Sequence, residues 1–126
     1  MFALTSSPPT GPPVGTMRCT RHELGTGVVR VALRGELDLS SGPELDRLLD
    51  QLLADASFVV VDLDELSFVD PAGAAALRAA GQRAGSRVVA VNVQPHVRTT
   101  LMTVGVHRVL KLVDTTPAVL VDDQAA

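Results

Sequence analysis

Apolar and polar positions in this chain change their spacing several times, and each change marks an element. Over 28–35, "VVRVALRG", they alternate, which predicts a half-buried strand. "MRCTRHEL" at 17–24 alternates less cleanly and reads as a weaker first strand, with the turn "GTG" at 25–27 between the two. The period then lengthens. Leu45, Leu48, Leu49, Leu52 and Leu53 fall on one face of a helix over 43–55. Ser41 followed by Glu44 is spaced as a capping box, and Pro43 suits a first turn. "FVVVDL", 58–63, is continuously apolar, as in a strand covered on both faces. A helix of small residues follows over 71–84, with Gly85 as its stop. "RVVAVNV" (87–93) reads as another buried strand, 95–105 as a short helix and "RVLKLV" (108–113) as a last strand. "TPAVLVDD", 116–123, reads as a final helix or a tail. The order β-β-α-β-α-β-α-β requires crossovers between parallel strands, so the class is α/β: a single domain with a mostly parallel sheet of about five strands.

Composition narrows the possibilities. Residues 1–16 hold four of the eight prolines and read as a flexible tail; 17–122 form the domain and 123–126 a C-terminal tail. In 126 residues there are three Phe, no Trp and no Tyr, so no aromatic platform for stacked bases can be built. The formal charge is −3 and the eleven Lys and Arg are dispersed, which leaves no basic field for a phosphate backbone; direct nucleic-acid binding is not expected. No apolar run approaches the ~20 residues of a membrane span, and the N-terminus lacks the pattern of a secretory signal. One cysteine, Cys19, fits a reducing compartment, and the protein is expected in the cytoplasm.

In a parallel sheet, ligands and partners meet the strand-to-helix corners. Two corners stand out: "GELDLSSGPEL" at 35–45 and "SFVDPAGAAAL" at 67–77. Asp70 can cap its helix through the N–H of Ala72 or Gly73, and the small residues after Pro71 lower the profile of the first turn. That pattern is compatible with a simple helix start or with the close approach of another backbone. Asp38 has the same two readings, an Asx turn or a contact for a partner. Cys19 beside Arg18 and Arg21 is either a mildly activated thiol or an inert edge thiol. Asp62, Asp64 and Glu65 read as a solvated acidic loop. His22, His96 and His107 lack metal-ligand spacing, and the usual nucleophile and phosphate-loop motifs are absent. Neither catalysis, a cofactor nor a metal is expected.

"VALRGELDLSSGPEL", "FVVVDLDELSFVD", "GAAALRAA", "RVVAVNV" and "VRTTLMTVGVHRVLKL" together resemble the STAS domain, whose members include bacterial anti-sigma-factor antagonists. The resemblance spans about 17–122 and is most specific at 35–38, 59–70 and Gly73. It implies binding without catalysis: such an antagonist engages an anti-sigma factor with an ATP-binding serine-kinase fold and frees a sigma factor. The implied partner-binding residues are Asp38, Ser40, Ser41, Asp70, Pro71, Ala72, Gly73, Leu77 and Arg78. In the family the second corner often reads Asp-Ser-Ser-Gly, and the serine before the glycine is phosphorylated. Here Ala72 occupies that place and Pro71 the one before it, so this position cannot accept phosphate. Ser40, Ser41, Ser67, Thr99 and Thr100 remain as other hydroxyls. The alternative is an adaptor or ligand sensor in another signalling or transport complex.

Overall fold

The computed structural model describes residues 4–5 and 17–117. Strand β2 (Met17–Gly25) turns back into β3 (Val28–Leu37), and the chain then winds through α1 (Gly42–Asp55), β4 (Phe58–Val69), α2 (Pro71–Ala84), β5 (Val88–Val91), α3 (Pro95–Val104) and β6 (Lys111–Leu112). A two-residue strand β1, Leu4–Thr5, lies parallel against Cys19 and Thr20 of β2. The rest of the 1–16 segment, the 123–126 tail and most of the 116–123 segment lie outside the described residues. The sheet order follows the sequence, β1 to β6, with β2–β3 the antiparallel pair and every other pairing parallel. No helix among the described residues is long and apolar enough to cross a membrane.

That sequential order decides where the helices go. Three parallel connections, β3–α1–β4, β4–α2–β5 and β5–α3–β6, all advance the same way across the sheet. Crossovers of one hand then put all three helices on the same face. The core agrees: Leu45 and Leu49 of α1, Leu77 of α2 and Leu101 of α3 share one cluster with Val31, Leu33, Val61 and Leu63 of the sheet. The leucine stripe predicted for α1 is its buried face, Leu45, Leu48, Leu49, Leu52 and Leu53.

Several boundaries differ from the sequence reading. Strand β4 runs on to Val69, past the expected end at 63, because shifts in register accommodate its pairing with β3 and bring Leu37 opposite Val69. Arg87 sits in a 3-10 turn, so β5 starts at Val88. Residues Val106–Arg108 form another 3-10 turn, which leaves only Lys111–Leu112 to pair as β6.

Asp62 is a further correction. It is not part of a solvated loop but 2% exposed, on the sheet face away from the helices with Val60. Its Oδ2 accepts from Arg30 Nε at 3.0 Å and from Arg30 Nη2. Its Oδ1 accepts from the N–H of Asp64 (2.9 Å) and from Asn92 Nδ2 (3.0 Å). Asn92, in a left-handed conformation at φ 56, also donates to Thr116 Oγ1 at 2.8 Å. The carboxylate thus ties β3, β4 and the end of β5, and Asn92 carries the network on to the chain after β6.

Removing one partner of such a pair strands the other, so Asp62→Ala is expected to lower stability by about 2–3 kcal/mol, toward the low end for buried pairs because Arg30 is 29% exposed. Asp62→Ala combined with Arg30→Met should recover part of that loss. Urea denaturation of the single and double variants measures both, and equal losses would mean the charge pair is not the cause.

Candidate functional site: two adjoining strand-to-helix corners

The last paired residues of β3 and β4, Leu37 and Val69, lie side by side, so both corners leave the sheet at the same level. The Asp70 N–H donates to the Leu37 carbonyl at 3.1 Å and joins them.

The first corner is built on Asp38. Its Oδ1 accepts from the N–H of Ser40 (3.0 Å), the Oγ of Ser40 (2.8 Å) and the N–H of Ser41 (3.1 Å), an Asx turn with an added hydroxyl. Ser41 does not form the capping box expected with Glu44: it makes no side-chain cap bond. Its Oγ instead accepts from the Asp38 N–H at 2.9 Å and donates to the Glu36 carbonyl at 3.1 Å. With its polar neighbours turned inward onto this frame, Leu39 is left 73% exposed.

At the second corner Asp70 caps α2, as its sequence position suggested, and the donor is Gly73 N–H at 2.7 Å. Pro71 occupies the first helical turn, where a missing N–H costs nothing. Gly73 is required by space. A Cβ there would stand 2.4 Å from the Leu37 carbonyl oxygen and 2.8 Å from the Asp38 nitrogen, both backbone atoms that cannot yield. The first turn of α2 therefore lies directly on the end of β3. Gly42 adds a second close contact, where a Cβ would stand 3.3 Å from the Ala72 carbonyl oxygen.

The structure divides the nine residues singled out from sequence. Ser40, Pro71, Ala72 and Arg78 are exposed, and Asp38 and Asp70 are half-buried. Ser41 (1% exposed), Leu77 (0%) and Gly73 are buried, which corrects their reading as contact residues: they hold the corners in place and present no surface. Sequence reasoning passed over two residues of the exposed face, Leu39 and Pro43. Leu39, Pro43 and Ala75 combine with Ala72 and Ala79 into a shallow apolar groove between α1 and α2, with Asp46 at its rim. The available signal was an apolar residue, Leu39, standing alone inside a polar turn. Arg83 bridges the helices below the groove, to Asp46 at 2.8 Å and Asp50 at 3.4 Å.

The remaining candidates do not join this site. Cys19 is fully buried, and burial pushes its thiol from 9.0 up to about 12, so of its two readings the inert thiol holds. His96 Nε2 lies 3.0 Å from the Ser67 carbonyl, on the far side of β4's end from the groove. Among the described residues no three His, Cys, Asp or Glu side chains come together as metal ligands.

With this geometry in view, a family model described as "Mlab, STAS domain" matches residues 22–114. No curated protein sequence matches the chain. Among solved structures it is similar to an anti-sigma factor antagonist from Mycobacterium paratuberculosis, 23% identical, covering 83% of this chain and 92% of that one, TM-score 0.71. It is also similar to a sulfate transporter family protein from Wolinella succinogenes, 16% identical over 79% of this chain and 86% of that one, TM-score 0.63. A third is the unphosphorylated anti-sigma factor antagonist SpoIIAA, 17% identical over 75% and 86%, TM-score 0.62; the Bacillus protein is also solved phosphorylated. At such identities these likenesses are of fold. The chain belongs to the STAS domain family.

Two predictions follow from the packing. Gly73→Ala is expected to lower stability by about 3 kcal/mol, because its methyl group meets backbone. Ala72→Ser one residue earlier, on the exposed side, should change it by less than ~0.5 kcal/mol. Denaturation midpoints compare the pair, and similar losses would refute the close approach. For Cys19, the folded-state value lies above the unfolded one, so the thiol's contribution to stability is complete below pH 9.0 and is lost as pH rises toward about 12. A thiol reagent at neutral pH should therefore label Cys19 only as fast as the protein unfolds; immediate labelling would contradict its burial.

Proposed function

We propose that this chain is an anti-sigma-factor antagonist: it binds an anti-sigma factor with an ATP-binding serine-kinase fold in the cytoplasm and so frees a sigma factor for transcription. It acts by occupying its partner, with no catalytic step and no cofactor of its own. The observation that carries this reading is the merging of the two corners into one exposed apolar face. Leu39 projects from it, Pro43, Ala72 and Ala75 floor the groove beside it, and Asp46 stands at its edge. An exposed leucine over a low-profile floor, rimmed by charge, is the anatomy of a protein-binding surface. The likeness in fold to anti-sigma factor antagonists supports this choice.

In this reading Ala72 stands where the family's acceptor serine sits. A phosphate there would bring a charge of about −1.5 to −2 into the middle of the apolar floor and oppose docking. With a methyl group instead, that means of release is missing.

A second reading, a ligand sensor or adaptor in a transport or signalling complex, is favoured by a separate open pocket of about 500 Å³ beyond the end of β5, whose lining includes Val93 and Pro95. Asp64, Asn92, Gln94, Arg98 and Asp114 line it, and Arg98 pairs with Asp114. The fold of a sulfate transporter family protein is also similar.

The test is recovery of the tagged full chain from its own cells with whatever it holds, followed by substitution of the projecting residue. An ATP-binding anti-sigma factor is expected. Leu39→Asp should weaken its binding by about tenfold or more, as for a central apolar anchor, without lowering the melting temperature. Capture of a transporter, or unchanged affinity in Leu39→Asp, would overturn the reading.

A further inference from the structure

We infer that the outer edge of β2 is a self-association edge, on which two copies of this chain pair antiparallel about His22. An edge strand carries a row of unpaired N–H and C=O groups that invite another strand. At one side of this sheet the edge strand β6 has only two residues, Lys111–Leu112. At the other side β2 has nine, and among the described residues β1 covers just two of them, Cys19 and Thr20. A longer β1 in the same register would bring Pro8 and Pro9 level with Glu23 and Leu24, and neither proline has an N–H to give. Continuation of β1 is therefore a poor cover for the rest of this edge.

The charges on β2 select the partner and the register. Arg21 and Glu23 lie on the same face of the strand and bond to each other at 2.5 Å, with 39% and 61% of their side chains exposed. In an antiparallel pair centred on His22, residue 21 of each copy stands opposite residue 23 of the other. Arg21 then faces a Glu23 across the contact twice over, and the four charges alternate around a square with like charges on its diagonals. Centring the pair on residue 21 or 23 instead sets Arg21 against Arg21, or Glu23 against Glu23, which repel. On the opposite face Thr20 stands across from Leu24. The contact is isologous and closes at two copies. A shift in the register of β2 against β3 after Glu23 bounds the run at one end. At the other end, pairing of Thr20 needs the place that Thr5 holds, so β1 gives way when two copies meet. Arg21 and Glu23 share a hollow with Leu52, Asp55 and Ala56, at the far end of α1 from Pro43 and Asp46. The apolar groove between α1 and α2 therefore stays open in the pair, and the inference is independent of what that groove binds.

Sedimentation velocity of the full chain over a range of concentrations provides the test. So short an edge buries less than the ~1,200 Å² of a stable interface, so a dimer is expected at roughly 100 μM and should dissociate at about 1 μM. Arg21→Glu and Glu23→Arg, each alone, should weaken self-association by about tenfold or more, because each sets like charges opposite one another. Mixed in equal amounts, the two variants should pair with each other, which also shows that both are folded. Thr5→Pro, which weakens β1, should strengthen association severalfold. A chain that stays monomeric throughout overturns the inference, as does a single charge variant that associates as well as the original. A mixture of the two variants that remains monomeric overturns it too. Unchanged or weaker association in Thr5→Pro removes the displacement of β1 and with it this register.

Discussion

The contact on which the rest of the site depends is backbone against backbone: Gly73 at the start of α2 lies on Leu37 and Asp38 at the end of β3. No side chain fits between them. Because β4 ends level with β3, and Asp70 both bonds to Leu37 and caps Gly73, the start of α2 is fixed relative to the first corner within one turn of helix. Each corner alone is a common strand-to-helix connection. Held together at backbone distance, they become one surface, and the apolar groove is the seam between α1 and α2 that this contact creates.

The sequential strand order explains why the surface lies there. A doubly wound sheet reverses its order at some point and opens a crevice between helices on opposite faces, where nucleotides and similar ligands settle. This sheet does not reverse. All three helices cover one face, the large core lies beneath them, and the other face carries the small Val60, Val89 and Val91 cluster with the Asp62 network. Corners at the carboxyl ends of adjacent parallel strands are then neighbours along a line. Such a line suits an extended contact with another protein better than enclosure of a small molecule.

Much of this was legible in the sequence because the elements obey their own periods. The leucine spacing of α1, the continuous apolar run that begins β4 and the proline-led starts of α2 and α3 each appear where they were read. What could not be read was competition between equivalent local bonds. Ser41 and Glu44 have the spacing of a capping box, yet Asp38 takes the Ser41 N–H and the Ser41 hydroxyl bonds back to the strand instead. The end of β4 was missed for a related reason: Asp64 and Glu65 look like loop residues, but Asp62 takes the Asp64 N–H and the strand continues past an irregularity. Leu39 could not be placed at all, since its exposure follows from that same Asp38 frame. Buried Ser41, Gly73 and Leu77 were read as contacts because sequence position alone does not distinguish a residue on a surface from one beneath it.

The tip of the second corner then acquires a sharper meaning. Every other residue there answers to a local physical demand: Asp70 to an unpaired helical N–H, Pro71 to a position that needs no donor, Gly73 to a backbone a Cβ would strike. Ala72 answers to none. It is exposed, and the close contact it makes with Gly42 runs through its carbonyl oxygen, which every residue type possesses. A serine would fit the same turn with its hydroxyl in solvent. The fold therefore does not impose the methyl group at 72, and what a hydroxyl there would change is the chemistry of the groove: a flat apolar floor would gain a polar and modifiable atom at its centre. The corner next to it keeps its hydroxyl, on Ser40, exposed and hydrogen-bonded to the Asp38 carboxylate.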